Sequence, residues 1–94
     1  MKISGIIWLP AIVEKLIVKH RVAQDEVREV LRNSAHFRFV ERGQRQGENV
    51  YSALGQTDAG RYLIVFFVRK KTGQALIVSA RDMTASERRR YEKK

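Results

Sequence analysis

The sequence predicts an α+β domain: a helical hairpin and a C-terminal helix packed on a mainly antiparallel sheet of about four strands. Three observations carry that expectation. Apolar residues recur at helical spacing up to Leu31 and then change to strand-like alternation and continuous apolar runs. Short turns, "TDAG" and "TG", separate the later segments, so consecutive strands must run antiparallel. Thr84 and Glu87 form a T-x-x-E box, a signature of a helix start. Ninety-four residues, 44% of them hydrophobic, suit one compact domain over positions 1–94.

Taken in order, "SGIIWL" can form a short opening strand. Pro10 suits the first position of a helix, where its missing N–H costs nothing. Ile12, Val13, Leu16 and Ile17 give that helix an apolar stripe, and Lys19 and His20 end it. The next helix, "AQDEVREVLRN", has Asp25 and Glu26 in its first turn and Arg28 and Arg32 later, matching the helix dipole. Its buried face should be Val27, Val30 and Leu31. "HFRFVER" alternates, with Phe37 and Phe39 on one face and His36, Arg38 and Val40 on the other. "RGQRQGEN" is a polar loop, and "VYSALGQ", "RYLIVFFVRKK" and "ALIVSAR" are strands. The continuous apolarity of the last two places them centrally, covered on both faces. The final helix follows Thr84.

Charge is the most informative bulk property. Nineteen Lys and Arg against ten Asp and Glu leave +9, which favours a polyanion: nucleic acid, a phosphorylated surface or an acidic protein partner. No acid occurs from Ala59 to Arg81, so the excess lies in the second half. Without cysteine there are no disulfides and no thiolate metal sites. No phosphate loop, nucleophile elbow or metal-ligand spacing is present, so neither a metal nor another cofactor is expected. The longest apolar run, Tyr62 to Val68, is too short for a bilayer. "ISGIIWLPAIV" after Lys2 is interrupted by Pro10 and followed by Glu14, unlike a secretion signal. A cytoplasmic protein with no membrane partner is expected.

A few side chains could carry chemistry. His20 can cap its helix or act as an acid or base near neutrality. His36 reads as a strand surface residue. Arg81, at a strand end, can pair with Asp82 or Glu87, or clamp a phosphate. Ser79 lies two residues earlier on the same face, with Ile77 pointing the same way. Arg61 begins the neighbouring strand, and Lys70 and Lys71 end it. In "ERRRYE", Glu87 and Tyr91 share a helix face with Arg88 beside them, and Tyr91 suits the core better than catalysis.

In their order, the early tryptophan Trp8, "KH", the acidic-start helix, "YSALG", "VSAR" and "ERRRYE" resemble the BrnT family of bacterial type II toxins. The resemblance runs from Trp8 to Glu92. It implies a fold similar to RelE-type toxins and a metal-independent ribonuclease that blocks translation. It also implies a cognate antitoxin, typically a ribbon–helix–helix DNA-binding dimer, through which alone the toxin would meet operator DNA. Four positions depart from the family pattern. Leu9 stands where Asp is usual, Arg21 where glycine follows "KH", and Val50 and Leu76 where arginines are common.

Metal-free RNA cleavage by 2′-OH attack needs a base, an acid and cations for the phosphorane. Carried over by motif, His20 would be the acid or base. Arg81 would stabilise the phosphate, helped by Lys19 and Arg61. Ser79 and Tyr91 would orient the RNA, Glu87 would hold Arg81, and Lys70, Lys71 and Arg88 would attract the polyanion. One alternative is a weakened or inactive module of the same fold that binds RNA or antitoxin. A DNA reader using the Gln24 to Arg32 helix ranks last, because Asp25, Glu26 and Glu29 would repel phosphates.

Overall fold

Residues 1–93 are described in a computed structural model of the chain. The elements are β1 (Gly5–Ile7), α1 (Pro10–Lys15) running into a wide π turn (Leu16–His20), α2 (Gln24–Arg32), β2 (His36–Glu41), β3 (Val50–Gln56), β4 (Tyr62–Arg69), β5 (Gln74–Asp82) and α3 (Ala85–Lys93). The sheet has five strands in the order β1-β5-β4-β3-β2, so the most apolar strands are interior as expected. The strands after α2 are antiparallel, whereas β1 pairs parallel with β5, through Gly5 to Gln74 and Ile7 to Leu76. That parallel edge adds a strand to the expected four. It can form because the first strand returns beside the last one rather than beside its neighbour in sequence.

The two sheet faces have separate cores. Leu16, Val22, Val27 and Val30 from the hairpin pack on Leu63, Val65, Phe67, Ile77 and Ala80. On the opposite face, Tyr91 of α3 packs on Leu54 and Ile64, with Tyr62, Phe66 and Met83 around them. β4 alternates between the cores, which is why its sequence is apolar without interruption.

Three local details differ from the expected pattern. Ile17 is exposed, as is Val18. The π turn has more residues per turn than an α-helix, so the 3.6-residue stripe slips once it reaches Leu16. Ile77 does not share a face with Ser79. The β4–β5 register jumps between Phe66 and Phe67, leaving Val78 as a bulge, and Ile77 turns into the hairpin core. His36 is half-buried rather than a surface residue, its ring 4.8 Å from that of Tyr91. Arg21, standing where the resemblance puts glycine, takes the left-handed conformation that ends the π turn (φ 54°, ψ 40°). Its N–H donates to the Ile17 carbonyl and that of Val22 to the Leu16 carbonyl.

Candidate active site

Two arginines mark the end of the sheet where β4 begins and β5 finishes, and each is held by the third residue of a helix. In α2 this residue is Glu26, whose carboxylate accepts the Ala23 N–H at 3.0 Å. Alanine has no side-chain acceptor, so only that half of a capping box exists. In α3 it is Glu87, which accepts the Thr84 N–H at 2.9 Å while its own N–H donates to the Thr84 hydroxyl at 3.1 Å. That box is complete. Both glutamates then use their remaining acceptor capacity on an arginine at this end of the sheet, Arg61 just before β4 or Arg81 in β5.

Arg61 faces the hairpin. Its Nε donates to Asp82 Oδ1 at 2.8 Å and Nη2 to Asp82 Oδ2 at 3.2 Å. Its Nη1 donates to the Arg21 carbonyl at 2.7 Å and to Glu26 Oε1 at 3.1 Å, and Nη2 also reaches the His20 carbonyl at 3.1 Å. These contacts occupy all five guanidinium donors. Hydrogen bonding to Asp82 is the main reason the Arg61 pKa is raised, and the same bonds hold Asp82 below the usual carboxylate range. The Arg61 side chain thus ties the carbonyl end of the π turn and the start of α2 to the end of β5.

Arg81 faces α3. Its Nη1 and Nη2 donate to Glu87 Oε1 and Oε2 at 2.8 and 3.0 Å, a two-pronged pair, and Nη1 also reaches the Asp82 carbonyl at 3.1 Å. The guanidinium lies 5.7 Å from the Phe66 ring centroid. The Arg81 pair, first of all, pushes the Glu87 carboxyl down to about 2, with the Thr84 N–H adding to the effect. Nε–H and one Nη2 hydrogen take no partner among the described residues, and about a third of the side chain is exposed. An anion can be bound there without breaking the Glu87 pair.

Register separates the two. Asp82 pairs with Leu63 and Arg81 with Ile64, and those partners belong to opposite cores. The Arg61 group therefore lies on the hairpin side of β5 and the Arg81 group on the α3 side, meeting at the strand's end. His20 belongs with the former: its backbone accepts from Arg61, and its charge contributes to lowering Asp82. Lys19 is exposed on the last turn beside it.

The remaining candidates divide similarly. Ser79 shares the α3 face with Arg81 through its pairing with Phe66. Arg88 stacks 3.9 Å above the Tyr62 ring and pairs with Glu92 at 3.5 Å. Tyr91 is buried between His36 and Tyr62. Lys70 and Lys71 lie at the far end of β4, where Lys70 donates to the buried Glu48 at 2.9 Å. They are not brought to Arg81. The sequence offers Asp82 only as a partner for Arg81, and Glu26 only as a first-turn acid of α2; the structure gives both to Arg61. Their spacing from Arg61 in sequence gave no signal, because the cluster is assembled by three separate elements. No three His, Asp or Glu side chains gather closely enough to hold a metal ion among the described residues.

A family model described as the ribonuclease toxin BrnT of type II toxin–antitoxin systems matches residues 8–87. The chain belongs to the BrnT family. The match takes in both arginine clusters and ends at Glu87, so Thr84, Arg81 and their partner lie inside it. None of the curated proteins matches the chain. A crystal structure of the Brucella abortus ribonuclease toxin BrnT superposes with a TM-score of 0.62 at 20% identity, covering 85% of this chain and 96% of that one. That likeness shows the α+β fold. No helix among the described residues is long and apolar enough to cross a membrane.

The two positions where the resemblance places arginines, Val50 and Leu76, come together. Both pair with Val68 across the sheet and line one cleft on the α3 face. That cleft is displaced from the Arg81 row by the four residues from Ile64 to Val68, about 13 Å along the strand.

Proposed function

We propose that this BrnT-family chain is a metal-independent endoribonuclease that cleaves RNA and so inhibits translation. The observation that carries the reading is Arg81, fixed in two directions by Glu87 yet keeping unpaired donors on an exposed strand end. A guanidinium held in this way stabilises charge on a phosphorane with little reorganisation when the reaction occurs. The scissile phosphate lies at the end of β5, met by Arg81 from one side of the strand and His20 from the other. His20 takes the proton from the 2′-OH as base, or gives one to the departing 5′-oxygen as acid. The products are then a 2′,3′-cyclic phosphate and a 5′-hydroxyl.

The other residues take narrower roles. Lys19 lends charge beside His20, and Ser79 orients the backbone beside Arg81. Arg61 positions the His20 turn and does not contact phosphate, since its donors are already filled. Tyr91 anchors α3. Lys70, Lys71 and Arg88 act through long-range attraction, to which the +9 charge contributes. Family membership supports a cognate antitoxin in the cytoplasm; we take it to be a ribbon–helix–helix dimer that alone contacts operator DNA.

A second reading, a module that binds RNA or antitoxin without cleaving, rests on Val50 and Leu76 replacing arginines. Their distance from the Arg81 row favours the enzyme. The test is cleavage of a long RNA in EDTA by the native chain, His20→Ala and Arg81→Ala. Cleavage that persists in EDTA and drops in both variants is the expected result. Silence of the native chain, with and without ribosomes, while RNA still binds would select the module instead.

A further inference from the structure

The sheet face under α3 is only half covered. α3 lies over the rows that include Leu54 and Ile64, whereas Val50, Val68 and Leu76 at the other end floor an open cleft of about 540 Å³. The β2–β3 loop walls the cleft with Arg42 and Arg45, and Lys70 completes its rim.

That loop is built to a definite shape. Gly43 passes so close to the Glu48 carbonyl that any side chain there would collide with it, and its N–H donates to Asn49 Oδ1. The buried Glu48 carboxylate accepts from Lys70 Nζ at 2.9 Å and from the Lys71 N–H at 3.4 Å. These bonds, that of Lys70 first, hold Glu48 below its ordinary range as a neutralised anchor. Glu41, exposed on the rim, is the other carboxylate there. Arg42 and Arg45 are exposed and make no ion pair among the described residues. Between this cleft and Arg81 the register sets a cross-strand row of Arg38, Ser52, Phe66 and Ser79. Ser52 is buried, so the strip from Arg81 to the loop presents cations, the Ser79 hydroxyl and one aromatic ring.

We propose that the cleft is a second nucleotide subsite for single-stranded RNA, about 13 Å along the face from the phosphate held at Arg81. Arg42 and Arg45 bind the phosphates there, and one base rests on Val50, Val68 and Leu76. The proposal rests on the ribonuclease reading for the Arg81 end of the strand. Unpaired guanidinium groups on a loop match phosphate oxygens in charge and in planar geometry. An apolar floor removes one face of a base from water, as the stacking platforms of single-strand binders do. The volume is that of a small-ligand site, enough for one nucleotide and too small for a protein helix.

The experiment uses 5′-labelled 2′-O-methyl RNA of two to six nucleotides, whose blocked hydroxyl prevents cleavage, with binding read by fluorescence anisotropy. The combined Arg42→Ala and Arg45→Ala variant should bind the hexamer about tenfold more weakly than the native chain and the dimer equally well. Its salt slope on the hexamer should be shallower by about 1.4, the loss of two phosphate contacts on a single strand. An abasic nucleotide at the far position should cost the native chain at least fivefold. Arg81→Ala should weaken dimer and hexamer alike.

Unchanged hexamer binding in the loop variant overturns the subsite. So does an equal loss on both lengths, which would reflect bulk charge only. An abasic hexamer that binds normally overturns the floor as a base site. Cleavage that depends on Arg81 while the loop variant binds normally sinks the subsite and leaves the ribonuclease standing. A length-dependent loss in a chain that cleaves nothing does the reverse.

Discussion

Glu26 and Glu87 are the same device on opposite faces of one sheet. Each is the third residue of a helix, each accepts a backbone N–H from the residue that caps it, and each grips an arginine at the end of the sheet. The difference lies in what surrounds the arginine. Arg61 is enclosed by two carboxylates and two carbonyls until no donor is left. Arg81 meets one carboxylate and one carbonyl, and the rest of its guanidinium looks over Phe66 toward solvent. One arginine is a lock and the other is a presenter. A strand-end arginine in a basic sequence is therefore no indication of phosphate binding until its donors have been counted.

The largest expected effects separate these two roles. His20→Ala should lower the cleavage rate by about 10²–10⁴-fold, the range for losing a general acid or base. Arg81→Ala should lower it by about 10²–10³-fold, with far-UV circular dichroism unchanged. A cleavage rate within threefold of native in either variant would remove that residue from the site.

Arg61→Ala should act on the fold instead. Removing it leaves Glu26 and two carbonyls without their donor, while the exposed Asp82 turns to water, at a cost of about 2–3 kcal/mol. For a domain of this size that lowers Tm by roughly 10–20 °C. Arg61→Lys should recover only part, since an ammonium cannot span the four acceptors. If Arg61→Ala kept its Tm but lost cleavage, the lock and presenter assignments would have to be exchanged.

Glu87→Gln sharpens the comparison through pH. The native carboxyl lies near 2 against an ordinary 4.5, a depressed acid. Its contribution to stability is thus complete above about pH 5 and disappears as pH falls from 4.5 toward 2. Allowing for solvent screening, it amounts to about 1–2 kcal/mol. Urea unfolding at pH 7 should show that deficit in the variant, and at pH 3 the two proteins should have converged by about half. A deficit independent of pH would mean that Glu87 acts through its capping bond alone.

The smallest effect is a gain. Arg21→Gly relieves a left-handed residue with a Cβ, worth about 0.5–1 kcal/mol of added stability, and leaves the carbonyl that Arg61 uses. No gain would mean that the Arg21 side chain stabilises the turn by a contact of similar size.

Much of the local structure could be read from short stretches of sequence. Pro10 starts α1, Thr84 and Glu87 cap α3, and Val27 and Val30 face the core, because each depends on residues within one helical turn. The candidate site was legible only in part. Glu87 could be paired with Arg81 because six residues separate them across one turn. Arg61, Glu26 and Asp82 could not be joined, since Arg61, in a loop, lies 35 residues from Glu26 in a helix and 21 from Asp82 in a strand. Tyr91 was legible as a core residue, whereas its neighbour His36 read as surface, because an edge strand gives no sign that a distant helix will cover it.

By itself, the sequence determined the helices and strands, most of their interior faces and the family, because periodicity, caps and motif order are properties of neighbouring residues. Tertiary structure decided the rest. It set β1 beside β5, turned Ile77 away from Ser79 at the Val78 bulge, and put Arg61 and Arg81 on opposite faces. Strand pairing is a contact between distant segments. A single extra residue in that pairing reverses which way every later side chain points.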